Sequence, residues 1–578
     1  MRDVTAGTIA CPRLRPNSRL NVLRLRLAPS IATAAILSSI AGCGPGSRPF
    51  PARDPLWTDA DQRPFRSPPE ESFSPLYWDA VDRSLFEPLS DTLSLERGSE
   101  ARNVNALDEV PDSSWFRNRL GAKSLTAAEV ARGPCAKERL QPAGAWVVVD
   151  GKPDGANPGF TVRTPDGVRH LLKFDGKMQP ERASSGDLIG SRLYYAAGFD
   201  TPCNEVVWFE PSLLRLSPDA TATTAEGDKR PLTPTDLKRA LSQATRSADG
   251  RVRAGASRLF DDKPIGPWHY DGKRSDDPND VIPHEDRREV RGSYVLAAWL
   301  DHVDARDQNT LTLWHDVSNG RGYVRHTFID WGDCLGQLWG TNPVRMPRQG
   351  HAYFFDLPQI GADYATFGMK SRFWDDGRLG PGGKALGYYD AERFNPDDWK
   401  PHYPNPAFVR RTEADSAWMA RIIANVSDET LDALVIEAQI ADPVTREALV
   451  ETLKGRRDKL LRRFLTRKSP LSWPSFDVLL GKPRLCLTDM GVRARIAAAE
   501  SRRYAARSYA SESAHADRPS LVRAPPDRVC VDIAGLVSPR PIVEVAVLAA
   551  ADRWLHARVH LYRAGASYRV AGLERSDD

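Results

Sequence analysis

The chain has 578 residues, enough for two to four domains with cores of their own. Hydrophobic residues make up 41% and charged residues 27%, an ordinary globular composition. Eighty lysines and arginines against 76 acids leave a formal charge of +4, which excludes the basic excess of a general nucleic-acid binder.

Arg24 and Arg26 precede an apolar run, 27–40, that leads into Ile40-Ala41-Gly42-Cys43. A basic flank, a short apolar core and small residues describe a secretory signal. The run is too short for a comfortable membrane span. A cysteine directly after Ile-Ala-Gly resembles the lipobox of bacterial lipoproteins. That resemblance implies cleavage before Cys43 and a lipid on its thiol and new amino group, hence a membrane anchor in the cell envelope. Residue 44 is glycine rather than aspartate, which by analogy with Gram-negative sorting favours the outer membrane. Beyond Cys43 stand Cys135, Cys203, Cys334, Cys486 and Cys530. An odd set leaves at least one thiol unpaired if the others bond, and Cys486 with Cys530 is one available pair.

Residues 44–75 are rich in Pro, Arg, Ser and Asp and are expected to form a flexible tether. Residues 76–144 are expected to form an extension packed on the neighbouring domain, opening with helical spacing of Leu76, Trp78, Val81 and Leu85. Residues 145–210 are expected to form a small sheet with one helix: strands at 145–149, 160–163, 169–174 and 205–209, and a helix at 180–198. Lys173 lies between Leu172 and Phe174, so alternation turns it to the opposite face. A lysine held inside a small sheet needs a partner, and a phosphate with a neighbouring carboxylate suits it. Asp187 lies just before the stripe Leu188, Ile189, Leu193 and Ala197. Residues 211–260 are polar and are expected to be a connector or insertion with a short helix at 234–244. The largest block, 261–470, has a helix from 284 to about 300 and a strand at 323–329. An aromatic-rich stretch comes next, then helices at 413–426, 430–438 and 443–467. Residues 471–578 contain short β-like runs and are expected to form a small β-rich accessory module, joined through a helix at 492–508.

The sequence lacks a Walker A loop, a Gly-x-Ser-x-Gly elbow and a His-Glu-x-x-His helix. What stands out is Asp304, then Asn309 five residues on, then Asp330 after a strand. Phosphoryl transfer asks for one group to orient the attacking hydroxyl and two to hold magnesium against phosphates. Any one of these acids alone serves equally well to cap a helix or bend a turn. Four pieces, however, arrive in a meaningful order. A loop with Gly155 and Gly159 comes first, then the strand lysine Lys173 and the helix acid Asp187. Asp304 to Asn309 and Asp330-Trp331-Gly332 complete the set.

This order resembles the protein-kinase-like superfamily. It is most similar to the atypical branch with HipA-type kinases and phosphatidylinositol kinases, where the loop runs Asp-x-x-x-x-Asn and a strand leads into Asp-Phe-Gly or a variant. More broadly, 110–120, 172–175 and 276–292, with the Asp304 and Asp330 motifs, resemble a family of exported bacterial lipoproteins that supplies no activity of its own. The superfamily resemblance implies an α+β, two-lobed domain: a small β-rich N-lobe at 145–210 and a mostly helical C-lobe at 261–470. It implies that Lys173 contacts the α/β-phosphates of ATP or another phosphoryl donor beneath Gly155 and Gly159, with Asp187 positioning the lysine. Glu181 is the alternative partner. Asp304 would orient the acceptor hydroxyl, Arg306 would balance charge in the loop, and Asn309 and Asp330 would hold Mg2+. Residue 331 is Trp where Phe is usual, and the glycines do not follow Gly-x-Gly-x-x-Gly. The acceptor, a protein, lipid or glycan, is left open. Rival readings are an inactive kinase fold and a glycan- or peptidoglycan-binding envelope scaffold, for which the 15 tryptophans offer stacking surfaces.

Overall fold

A computed structural model describes residues 50–578, apart from 74–75, 88–97, 122–123, 136–138, 153–156, 224–228, 339–345, 511–515, 550–552 and 577–578. The expected signal segment, Cys43 and Gly155 lie outside the described residues. The architecture is mixed α/β, with several sheets and helices.

A seven-stranded sheet runs in the order Asn204–Phe209, Val252–Arg258, Arg169–Lys173, Gly159–Arg163, Trp146–Lys152, Leu214–Thr223, Lys229–Pro231. Neighbours are antiparallel except Trp146–Lys152 with Leu214–Thr223. Val148, Phe160, Val162 and Leu172 are fully buried in a core that Ala240 and Leu241 of helix Pro234–Gln243 help to close. Residues 211–260 therefore do not form a connector: they complete this sheet. Val252–Arg258 even takes an inner place, between the strands of Val207 and Leu172. Its small residues fit because helix Arg182–Ala197 lies close. A Cβ on Gly255 would sit 3.4 Å from the Ser184 backbone.

The helical core is built on Arg288–Leu300, whose thirteen residues are all buried. Helices Glu413–Ile423, Asp428–Glu437 and Pro443–Phe464 join it, and Trp299 Nε1 donates to Leu453 O at 2.9 Å. Thr310–Ser318 and Arg321–Phe328 form a hairpin beside this core. No helix among the described residues is long and apolar enough to cross a membrane.

Residues 471–576 hold a four-stranded and a five-stranded sheet around a core that includes Leu485, Val529, Val545 and Val559. The expected helix at 492–508 is absent. One turn, Met490–Arg493, is followed by strand Tyr504–Ala510, which pairs along its whole length with Pro541–Leu548. Those cross-strand bonds outweigh alanine's preference for helix. Cys486 faces Cys530 in register and is bonded to it; Cys135 is bonded to Cys203, and Cys334 is free and buried.

A charge hub joins this region to the helical core. Asp108, in a left-handed turn (φ 59°), accepts from Arg288, Arg421 and Arg575. Arg288 also reaches Asp415 at 3.2 Å, and Arg575 donates to Leu471 O at 3.1 Å. Burial opposes the Asp108 charge, but the three guanidiniums outweigh it and hold its carboxyl well below the usual range.

The stretch 50–73, expected as tether, lies instead as a strap on the surface. Phe50 packs edge-on against His560, and Tyr562 Oη donates to Phe50 O. Thr58 bridges to Asp112, and the buried Asp61 accepts from Ser114 N and Oγ. Phe65–Arg66 adds a strand beside Arg321–Phe328, with Phe65 on Trp314. Its polar composition hides this, because the strap is held by backbone pairing and single inward residues rather than by an apolar stripe. Beyond it, helix Leu76–Val81 continues into a π-helical turn, Asp82–Phe86. That piece is fixed by charge: Arg83 bonds Asp271 at 2.7 Å and Asp307 at 2.9 Å. Residues 50–578 form a compact unit that contains both disulfides.

Candidate functional site

Lys173 ends its strand with its side chain turned away from buried Leu172 and Phe174, as alternation requires. Its Nζ lies 3.3 Å from Asp187 Oδ2 and 2.7 Å from Asp330 Oδ1. Asp187 comes from helix Arg182–Ala197, and its other oxygen accepts from Trp331 N at 2.7 Å. One carboxylate thus holds the lysine and pins the loop that carries Asp330. Glu181 takes no part: its Oε2 accepts from Ala441 N at 3.0 Å. Asp330 has a positive φ of 61° and is stabilised by Gly332 N, which donates to Oδ1 at 3.2 Å. Trp331 is fully buried against the helix, and a Cβ on Gly186 or Gly190 would clash with it at 2.7 or 2.4 Å. Gly186 clears the Trp331 carbonyl and Gly190 the foot of its side chain, so the two glycines let this loop pack on the helix.

The loop after helix Arg288–Leu300 carries three acids with three fates. Asp301, left-handed at the helix end, accepts from Trp399 Nε1 at 2.8 Å. Asp307 accepts from Tyr270 N at 2.9 Å and from Arg83, so it is structural. Asp304 has 20% of its side chain exposed and lies 2.9 Å from Arg306 Nη2. Asn309 Nδ2 donates to Asp304 O at 2.8 Å and Oδ2 at 3.1 Å, which leaves the carbonyl Oδ1 as the atom for a cation. The two loops are tied together, since Ile329 N donates to Asn309 O at 3.0 Å.

Two residues of the site go beyond those the sequence singles out. Asp333 Oδ2 accepts from Asp304 N at 2.8 Å, and its Oδ1 lies 3.5 Å from the buried His302 Nε2. His402 Nδ1 lies 3.6 Å from Asp304 Oδ1. Asp333, three residues after Asp330, is within reach of the motif; His402, nearly a hundred residues after Asp304, carries no local signal. Gly159 stands opposite Lys173 in the strand register, where a Cβ would lie 2.3 Å from Leu172 O. Close backbone approach therefore accounts for that glycine.

Burial would lower the Lys173 ammonium, but Asp187 and Asp330 outweigh it and hold it above its ordinary value. Desolvation raises Asp187, against the pull of Lys173, whereas Lys173 holds Asp330 below the ordinary range. Burial also opposes the Asp304 charge. A hydrogen bond from His402 and the charge of Arg306 prevail and bring it to about 2. Asp333 is driven well above the usual range by burial and then by the Asp304 charge. Burial pushes His302 down to about 4. The result is an ionised Asp304 with an amide carbonyl and a half-exposed carboxylate nearby. That all-oxygen set fits a hard cation such as Mg2+ and is wrong for a soft one. The sulfurs near Glu205 belong to the Cys135–Cys203 disulfide and offer no thiolate for a metal.

No protein-family model matches the chain, and no curated protein matches it. Among solved structures, "Crystal structure of the golgi casein kinase" is similar at 9% identity and a TM-score of 0.28, over 68% of this chain and 89% of that one. At that score the likeness is weak and distant, and it assigns neither a superfamily nor residue roles to this chain.

Proposed function

We propose that the chain is an exported, lipid-anchored, kinase-like protein that transfers a phosphoryl group from a magnesium nucleotide to a hydroxyl acceptor. The observation that supports this reading is the bond from Lys173 to both Asp187 and Asp330, on a loop that Ile329 N ties to Asn309 O of the Asp304–Asn309 pair. In this reading the sheet of Lys173 and the helical core of Asp304 act as the two lobes of a kinase-like domain. Lys173 binds the donor's phosphates, and Asn309 and Asp330 hold magnesium. Asp304, ionised and fixed by Asn309 and Arg306, accepts a hydrogen bond from the acceptor hydroxyl and aligns it. The nucleotide, when bound, supplies the phosphoryl group.

A protein comprising residues 50–578 tests this. Mg-ATP is expected to raise its melting temperature, and γ-labelled phosphate is expected to be released to water or to the protein itself. Asp304→Ala is expected to keep the thermal shift and lose turnover by roughly a hundredfold or more. Lys173→Met is expected to lose both. Nucleotide binding with no release from the wild type would favour the inactive kinase fold; neither binding nor release would overturn the kinase reading.

A further inference from the structure

The stretch just beyond His351 has a helix, Leu357–Ala365, in which no residue is buried. Its apolar residues fall at helical spacing, Leu357, Ile360 and Tyr364, and the stripe continues into the turn after it. Tyr364 is 85% exposed, Phe367 90% and Met369 80%. Single exposed apolar residues are ordinary; a row of them on one helix and its turn is not. The stretch 355–378 carries three cations, Lys370, Arg372 and Arg378, against four carboxylates, Asp356, Asp363, Asp375 and Asp376. Asp363 is paired with Arg372 and Asp356 with Lys400. An anionic polymer therefore finds no net positive charge to bind, and the attraction of this face is apolar. The stretch also adjoins the candidate site: Phe354 stacks on His402 at 4.1 Å, and His402 is the neighbour of Asp304.

We infer that the helix Leu357–Ala365 and the turn to Met369 form an interfacial anchor that inserts into a lipid bilayer beside Asp304. The choice of a bilayer rests on the proposed lipidation at Cys43. Six residues separate Cys43 from Phe50, a covalent reach of about 25 Å. A body on so short a lead always has a bilayer at hand, and an exposed apolar stripe is what lies in its interface. The site would then meet acceptors held in the membrane plane.

The test mixes the residue 50–578 protein, which carries no lipid, with phosphatidylcholine vesicles and measures co-sedimentation. Binding is expected, changing less than about twofold between 0.1 and 0.5 M NaCl because it is not ionic. The double variant Phe367→Ser, Met369→Ser is expected to bind at least about tenfold more weakly with an unchanged melting temperature, as both side chains are exposed. No sedimentation by the wild type, or equal sedimentation by the variant, overturns the inference. So does a wild type that self-associates without vesicles and a variant that does not, since a second copy then covers the face. The assay uses neither nucleotide nor acceptor, so failure of phosphotransfer leaves it standing, and the reverse holds too.

Discussion

Two charged clusters in this molecule solve the same problem in opposite ways. At the hub, Asp108 is met by Arg288, Arg421 and Arg575, so its charge is neutralised by groups that never leave. At the candidate site Lys173, Arg306 and the buried Arg182 stand against Asp187, Asp304, Asp330 and Asp333. There the balance is met by driving Asp333 toward its protonated form. Arginine builds a permanent joint, because it stays charged in any protein. A proton on a carboxyl is exchangeable. The difference separates a cluster that holds the fold from one whose charge can still change when something binds.

The largest effect that would break this contrast lies at the hub. Asp108→Ala strips the shared acceptor from three buried guanidiniums and is expected to cost about 3–5 kcal/mol. Chemical denaturation of the purified variant measures it. A loss below about 1 kcal/mol would mean that the arginines find other partners and that the hub is no keystone. At the site the corresponding change should leave the fold intact. Asp330→Asn keeps the shape and removes one of the crowded carboxylates. The wild type is expected to gain about 2.7 kcal/mol at magnesium concentrations 100-fold over its Kd, and the variant to gain almost none. Equal stabilisation of both proteins would remove Asp330 from the cation site.

Part of that site is legible in the sequence. The orientation of Lys173 follows from strand alternation, whereas Asp187, Asp304 and Asn309 are picked out by their order along the chain, which resembles the protein-kinase-like superfamily. The glycines facing Trp331 also lie in plain view, four apart in Gly186-Asp-Leu-Ile-Gly190, yet their partner is far along the chain. The inner strand Val252–Arg258 has the composition of a connector because Ala254, Gly255 and Ala256 are small, and only the nearness of Ser184 explains why. The strap has the composition of a tether for a related reason: Asp61 and Phe65 are each a single inward contact in a polar run. Long-range pairing leaves no periodic trace, so neither segment betrays its place in the fold.

The smallest effect sharpens the contrast through pH. Asp333 has its folded-state value raised, so the native state binds its proton more tightly than the unfolded chain does. In the metal-free protein its contribution is full below the ordinary carboxyl range near pH 4. It declines as pH rises toward the raised value. Asp333→Asn keeps an acceptor for Asp304 N and removes the titration. The variant should match the wild type near pH 4 and pull ahead by roughly 1–2 kcal/mol toward pH 8. Asp108 has its value lowered, so its contribution is present above pH 4 and is lost only as pH falls below that. Melting temperature against pH for the three proteins reads both slopes. Parallel curves for wild type and Asp333→Asn would show that folding does not raise the value of this carboxyl.

The strap from Phe50 to Ser72 has a mechanical consequence. Its holds are arranged in series: Phe50 on His560, Thr58 beside Asp112, Asp61 on Ser114, Phe65 on Trp314, Ser72 on Pro267. Only past these does the chain reach Arg83 and the Asp307 side of the loop that carries Asp304 and Asn309. A load applied at residue 50 therefore peels one hold at a time and reaches the loop last. A single-molecule pull from that end should show several small steps before the main rupture, so tension on the chain's leading end is spent before it can disturb Asp304.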